Sequence, residues 1–216
     1  MHQPGRLVVV SNRVPAISVP RNEEERHAQS VGGLVSAVRA ALQERGGLWF
    51  GWSGSVMERG QPSSARVRDL GSFQLATIDL SREEANLFYT FFANRTLWPL
   101  LHSMPERTVI RHDAYRAYRR TNHRFATELY PMLKPGDLVW VHDYHLIPLG
   151  AYLRRLGWKG RVGFFLHTPF PPPETFSVLP WAQQILEGFL SYDLVGFHTT
   201  RYAHNLLDTL VLELGG

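Results

Sequence analysis

The amino-acid sequence predicts an α/β fold with a doubly wound, mostly parallel sheet. Three features carry that expectation. The last third alternates strand and helix patterns without interruption, from Leu138 to Leu212. Leu7-Val-Val-Val-Ser11 is a short, β-branched, unbroken apolar run, the pattern of a strand buried on both faces. No repeat, low-complexity tract or linker interrupts the 216 residues, which read as one domain.

In chain order, the first strand, Leu7 to Ser11, gives way to a polar loop from Asn12 to Ser30 that contains Pro15, Pro20 and Glu23 to Glu25. Gly32-Gly33 opens a helix through Arg45, since Leu34, Val35, Val38, Ala41 and Leu42 recur at helical spacing and Gly46-Gly47 stops it. Leu48 to Gly54 and Arg66 to Asp79 read as shorter strands, the latter around a turn at Gly71. Ser81 and Glu84 have the spacing of a capping box, starting a helix that runs to about Phe91. An amphipathic stretch from Asp113 to Leu133 ends at Lys134-Pro-Gly-Asp137, where proline and glycine cannot continue a helix. Then come strand Leu138–Val141, helix Leu146–Leu156, strand Val162–Leu166, helix Pro180–Leu190, strand Leu194–Phe197 and helix Arg201–Leu212.

Composition narrows the chemistry. There is no cysteine, so disulfides, thiolate metal sites and cysteine nucleophiles are excluded. No apolar run approaches the ~20 residues of a membrane helix, and the first apolar segment meets Ser11-Asn12-Arg13 too soon for a signal peptide, so a soluble cytoplasmic protein is expected. The net charge of +4 is spread over scattered arginines, which argues against nucleic acid and suits a small anionic ligand. Neither G-x-G-x-x-G nor a Walker A sequence occurs, and no cofactor is implied.

In open parallel sheets ligands bind beyond the carboxyl ends of the strands, near the switch in strand order. Four apolar runs here end in polar, ionisable clusters: Ser11-Asn12-Arg13, His142-Asp143-Tyr144-His145, His167-Thr168 and His198-Thr199. Four on one edge point to a site. Arg13 offers a planar donor fork suited to phosphate, or is a surface arginine in a loop. Gly32-Gly33 allows close backbone approach to an anion at a helix start, or serves only as a turn. Asp143 can accept hydrogen bonds from sugar hydroxyls, cap the following helix, or both. His142-x-x-His145 beside Asp143 lacks the third and fourth ligands of a zinc site, so no metal is expected. His167 precedes the stiff Pro169-Phe-Pro-Pro-Pro173 loop, a setting for a preorganised contact, although such a run can also serve as a polyproline ligand. Trp49 and Trp140 read as core, while Trp52 and Trp98 adjoin glycine or proline turns where an aromatic can cover an apolar sugar face. No carboxylate pair suits a double-displacement glycosidase.

Seven blocks in order resemble the trehalose-6-phosphate synthase family: Leu7-Val-Val-Val-Ser-Asn-Arg13, Val31-Gly-Gly-Leu34, Trp49-Phe-Gly-Trp-Ser-Gly54, Asn94-Arg-Thr-Leu-Trp-Pro99, Val141-His-Asp-Tyr-His-Leu146, Gly163-Phe-Phe-Leu-His-Thr-Pro-Phe-Pro171 and Asp193-Leu-Val-Gly-Phe-His-Thr199. The resemblance implies a GT-B glycosyltransferase with two Rossmann-like domains, acting with retention and without a metal. Residues 1–216 would be the N-terminal, acceptor-binding Rossmann-like domain, and the C-terminal nucleotide-sugar domain would follow Gly216. By motif, Arg13, Gly33, Tyr89 and Trp98 match residues that hold the phosphate and ring of glucose 6-phosphate, with Trp52 nearby. Asp143 matches an acceptor-sugar contact. His167 matches a histidine that touches the transferred glucose and stabilises developing positive charge, and Gly32 and Gly33 fall with it on the donor side. The implied mechanism is front-face displacement, the acceptor's anomeric hydroxyl attacking while the leaving phosphate takes its proton. UDP-glucose is the expected donor, with GDP- or ADP-glucose as alternatives. A sister enzyme using glycerol 3-phosphate, glucosylglycerol-phosphate synthase, and a non-catalytic sugar-phosphate-binding module share the same features. The isolated chain is expected not to transfer glucose alone. No nucleic-acid or membrane partner is expected, and a homo-oligomer is compatible with the fold class.

Overall fold

The structure is a computed structural model and describes residues 5–15, 33–57 and 64–215. Seven strands form one sheet: β1 (Leu7–Arg13), β2 (Gly47–Val56), β3 (Arg66–Asp69), β4 (Gln74–Leu80), β5 (Leu138–His142), β6 (Val162–Leu166) and β7 (Leu194–Phe197). Their order is β3-β4-β2-β1-β5-β6-β7. Every pairing is parallel except β3 with β4, which is antiparallel. The chain therefore builds outward from β1 on one side and then returns to β1's other side with β5, so the switch in strand order lies between β1 and β5.

Period-two alternation assigns each face of β1. Val8 and Val10 enter the larger core, while Leu7 and Val9 enter a smaller one on the opposite face. Helix α1 (Gly33–Arg45) covers the smaller core with Val38 and Leu42, against Trp49 and Leu75. Apolar positions on α1 recur at helical spacing, and Gly46 at φ +69 supplies the left-handed stop. The larger core is covered by α3 (His112–Leu129), α4 (Leu149–Arg155) and α5 (Ala182–Phe189). Fully buried Phe88, Phe92, Tyr118, Phe125 and Phe164 fill it. Each such side chain contributes about 1.5–3 kcal/mol by leaving water. The last helix is α6 (Thr200–Leu214), capped by the Thr199 side chain.

The helix expected to run from Ser81 to about Phe91 is longer. The capping box of Ser81 and Glu84 is present, with Ser81 Oγ accepting from Glu84 N at 3.1 Å and Glu84 Oε2 from Ser81 N at 2.8 Å. Beyond it the helix, α2, continues through three joined pieces: an α-helical turn Arg82–Glu84, a π-helical segment Ala85–Leu97 and a second α-helical turn Trp98–Leu101. The block Asn94 to Pro99, placed by the sequence near an element end, thus lies within a helix. Residues 16–32, including Gly32 and most of the expected loop, lie outside the described residues.

Candidate functional site

Because β1, β2, β5, β6 and β7 run parallel, their carboxyl ends share one edge of the sheet. The four polar clusters singled out from the sequence all lie there, and the β1/β5 switch places Arg13 on one side and His142-Asp143 on the other.

At the end of β1 the register against β2 slips between Ser11 and Arg13, so Asn12 is an extra residue and Arg13 is paired with Trp52. Bulges of this kind re-aim side chains near functional sites. The Arg13 guanidinium lies 5.8 Å from the Trp52 ring centroid, a cation–π contact. Gly54, at φ +91, makes room for it, since a Cβ there would sit 2.6 Å from the guanidinium nitrogens. Among the described residues no carboxylate is paired with Arg13, and its exposed side chain lies over an aromatic floor.

Trp52 itself is a floor and not an open sugar platform. It is 6% exposed, its indole N–H donates to Ser55 O at 2.7 Å, and its ring meets Tyr89 edge-on at 5.5 Å. The open aromatic is Trp98, 41% exposed and stacked on His102 at 4.1 Å. Trp49 is core, as expected, with its indole N–H donating to Ser11 Oγ at 2.9 Å.

The π-helical segment explains how Tyr89 and Trp98 belong together. At 3.6 residues per turn, residues nine apart point in opposite directions. A helix with i→i+5 bonds winds at roughly 4.4 residues per turn, which brings them to one face. Burial follows that wider period: Asn86, Thr90 and Arg95 are exposed, whereas Phe88, Phe92 and Leu97 are buried. The face between them carries Tyr89, Asn94 and Trp98. Tyr89 stacks on His145 at 5.8 Å, and Asn94 Oδ1 accepts from the Tyr144 hydroxyl at 2.8 Å. The α2 face is thereby fastened to the end of β5.

Asp143 is the strained point of the site. Its backbone sits at φ 75, ψ 163, a region nearly reserved for glycine that costs about 1–3 kcal/mol elsewhere. Its side chain does not cap the following turn; Oδ1 instead accepts from the His167 backbone N–H at 3.2 Å. Burial raises the carboxyl pKa to about 6, partly offset by the backbone hydrogen bonds of Tyr144 and His167 and by nearby His102 and His198.

His167 lies half-buried at the end of β6. Its Nε2 is 2.9 Å from His142 Nδ1, and its ring meets those of Phe165 and His198 at 4.7 and 5.6 Å. Burial, then His198, lowers its pKa, so the ring is neutral at pH 7. Among the described residues no three His, Cys, Asp or Glu side chains come together as metal ligands. Gly33 is the first residue of α1, and Gly32 lies outside the described residues.

Two residues that shape the site were not singled out individually from the sequence. The sequence places His142 in a strand-end cluster and offers it as a metal ligand, but its contact with His167 depends on the β5–β6 register, which places it beside Phe165. Asn94 is the other, because its use depends on the π period. A cavity of about 520 Å³ lined by His102, Ser103, Phe170, Arg201, Tyr202 and Asn205 adjoins these strand ends. A larger, shallower one of about 650 Å³ lies against Arg116, Arg120 and His123 of α3 and contains none of the strand-end residues. The convergence of side chains, and not concavity, locates the site. Among the described residues no helix is long and apolar enough to cross a membrane.

Comparison with known proteins gives a consistent result. The model of glycosyltransferase family 20 matches residues 5–213. A trehalose-6-phosphate synthase from Enterobacter sp. (strain 638) is 39% identical over 206 residues, covering 95% of this chain and 42% of that protein. A crystal structure of a UDP-forming α,α-trehalose-phosphate synthase from Burkholderia xenovorans, in complex with glucose-6-phosphate, superposes with a TM-score of 0.86 at 39% identity, over 98% of this chain and 44% of that one. An E. coli protein of the trehalose-6-phosphate type, bound with UDP-2-fluoro glucose, gives 0.86 at 38% identity over 96% and 43%. The chain thus spans less than half the length of these relatives.

Proposed function

The chain belongs to glycosyltransferase family 20, and from that premise we propose that it is the acceptor-binding half of a retaining α,α-trehalose-phosphate synthase. The reaction moves glucose from a nucleotide sugar, UDP-glucose, onto glucose 6-phosphate. The observation that carries this reading is the convergence of Arg13, Tyr89, Trp98, Asp143 and His167 on the edge of the β1/β5 switch. The relatives that carry glucose-6-phosphate and UDP-2-fluoro glucose support it.

In this reading Arg13 pairs with the acceptor phosphate, its fork matching phosphate oxygens. Tyr89 and Trp98 line the sugar ring, with Trp52 beneath Arg13 and Tyr89. Asp143 accepts hydrogen bonds from acceptor hydroxyls, and His167 touches the glucose being transferred. Gly33, at the start of α1, presents backbone N–H groups to an anionic group of the substrates. No residue has to form a covalent bond to sugar. The leaving phosphate takes the attacking hydroxyl's proton, and the protein contributes positioning and electrostatics. A neutral His167 suits that role, because a cationic ring would oppose positive charge developing at the anomeric carbon. The nucleotide is held by a second domain in the remainder of the enzyme, and the phosphorylated substrates place the reaction in the cytoplasm.

The test is a map of amide and side-chain chemical shifts during glucose 6-phosphate addition. Changes are expected at Arg13, Trp52, Tyr89, Asp143 and His167. Changes confined to the outer face of α3 would refute the assignment.

A further inference from the structure

His142, the last residue of β5, has no part in the reading above, yet it is 1% exposed and its ring packs 4.4 Å from Trp140. Its Nδ1 meets His167 Nε2 at 2.9 Å, whereas its Nε2 is buried with no hydrogen-bond partner among the described residues. Burial and the neighbouring His167 push the His142 pKa down to about 3, and His167 is lowered too. Both rings are neutral at pH 7, so each carries one proton on one nitrogen.

The proton in the shared hydrogen bond therefore belongs to one ring or the other. If His167 donated it, the proton of His142 would sit on Nε2, a buried N–H with no acceptor. If His142 donates, the group left without a partner is only a lone pair. Orphaned buried N–H groups are the rarer case, and an unmade donor bond carries the full desolvation cost of the group. We infer that His142 is a positioning residue: it donates Nδ1–H to His167 Nε2 and so fixes His167 as the Nδ1–H tautomer.

This has a consequence for the ligand. His167 Nδ1 makes no hydrogen bond among the described residues, and it becomes the nitrogen available to substrate. As N–H it is a donor, so it meets an oxygen acting as acceptor, a sugar hydroxyl lone pair or a phosphate oxygen, and does not take a hydroxyl proton. The bond from His167 N to Asp143 Oδ1 at 3.2 Å holds the backbone of the same residue, so the ring and backbone of His167 are both fixed. The consequence for the ligand rests on the proposed sugar contact of His167, while the tautomer itself does not.

The experiment is long-range ¹H–¹⁵N correlation of the histidine rings in ¹⁵N-labelled chain at pH 7.5. His142 and His167 are both expected with the proton on Nδ1. The variant His142→Asn keeps an N–H donor near the position of Nδ1 and is expected to leave His167 unchanged. His142→Asp puts an acceptor in place of the donor, and His167 is then expected to carry a proton on Nε2. An Nε2–H proton on His167 in the parent chain, or none on Nε2 in His142→Asp, would overturn the inference. The parent measurement stands even if the aspartate variant does not fold. Absence of glucose 6-phosphate binding to the parent would count against the proposed function and leave the tautomer result intact.

Discussion

Arg13 and Asp143 show how single residues at a strand end are made ready for a ligand. Replacing Arg13 with alanine is expected to weaken glucose 6-phosphate binding by about 1.5–3 kcal/mol, the scale of a hydrogen bond to a charged group, as read by calorimetry. Gly54→Ala tests the same site from below: its Cβ, 2.6 Å from the guanidinium at φ +91, has to displace Arg13. Binding should weaken in the same direction, with a stability loss of about 1–3 kcal/mol for a non-glycine residue at that φ. Asp143→Asn keeps the oxygen that accepts from His167 and removes a buried charge. Its Tm at pH 8 should equal or exceed the parent's while glucose 6-phosphate affinity falls roughly tenfold, about 1.4 kcal/mol. A lower Tm with unchanged affinity would make Asp143 a structural residue only. Arg13, Asp143 and His167 were legible because each lies in a polar cluster at the end of an apolar run, and strand ends in parallel sheets are where ligands bind. The burial of Trp52 was not legible, because the glycines that suggested a turn beside it lie within β2 and say nothing of the helix that covers it.

Elements divide by whether their period matches the one used to read them. Strand β1 follows from its β-branched run, and α1 and α3 from a 3.6-residue period. The boundaries of α2 do not follow, since its apolar residues recur on a π period that looks irregular when read as α, and Tyr89 and Trp98 then fall on opposite sides. Helix α2 begins at a cap that was legible, and Ser81→Ala is expected to destabilise the chain by about 1 kcal/mol, measured by urea denaturation. Because Tyr89 is anchored by that helix, the same variant should lower glucose 6-phosphate affinity less than Arg13→Ala does. The His142–His167 pairing belongs to this scale too: it arises from the β5–β6 register, which no single segment specifies.

Across the whole molecule, neutral buried histidines make folding depend on pH. His142 and His145 are pushed down from 6.5 to about 3 by burial. Depressed values mean that the unfolded chain binds protons the native chain refuses, so their stabilisation is present above pH 6.5 and lost as pH falls toward 3. Asp143, raised from 3.8 to about 6, acts in the opposite sense between those values and offsets about one proton. With His167 also lowered and acting in the same sense, stability is expected to fall by at least about 1.4 kcal/mol per unit as pH drops from 6 to 4, as denaturant melts at several pH values would show; a flat profile would mean the rings are hydrated. The doubly wound sheet was legible from the alternation of strands and helices, and the edge that carries the site followed from it. The most direct test of the acceptor site is calorimetric titration of the chain with glucose 6-phosphate, beside glycerol 3-phosphate and the Arg13→Ala variant. Selective binding of glucose 6-phosphate, weakened in the variant, is the expected result. Equal binding of both phosphates, or affinity unchanged by the loss of Arg13, would contradict it.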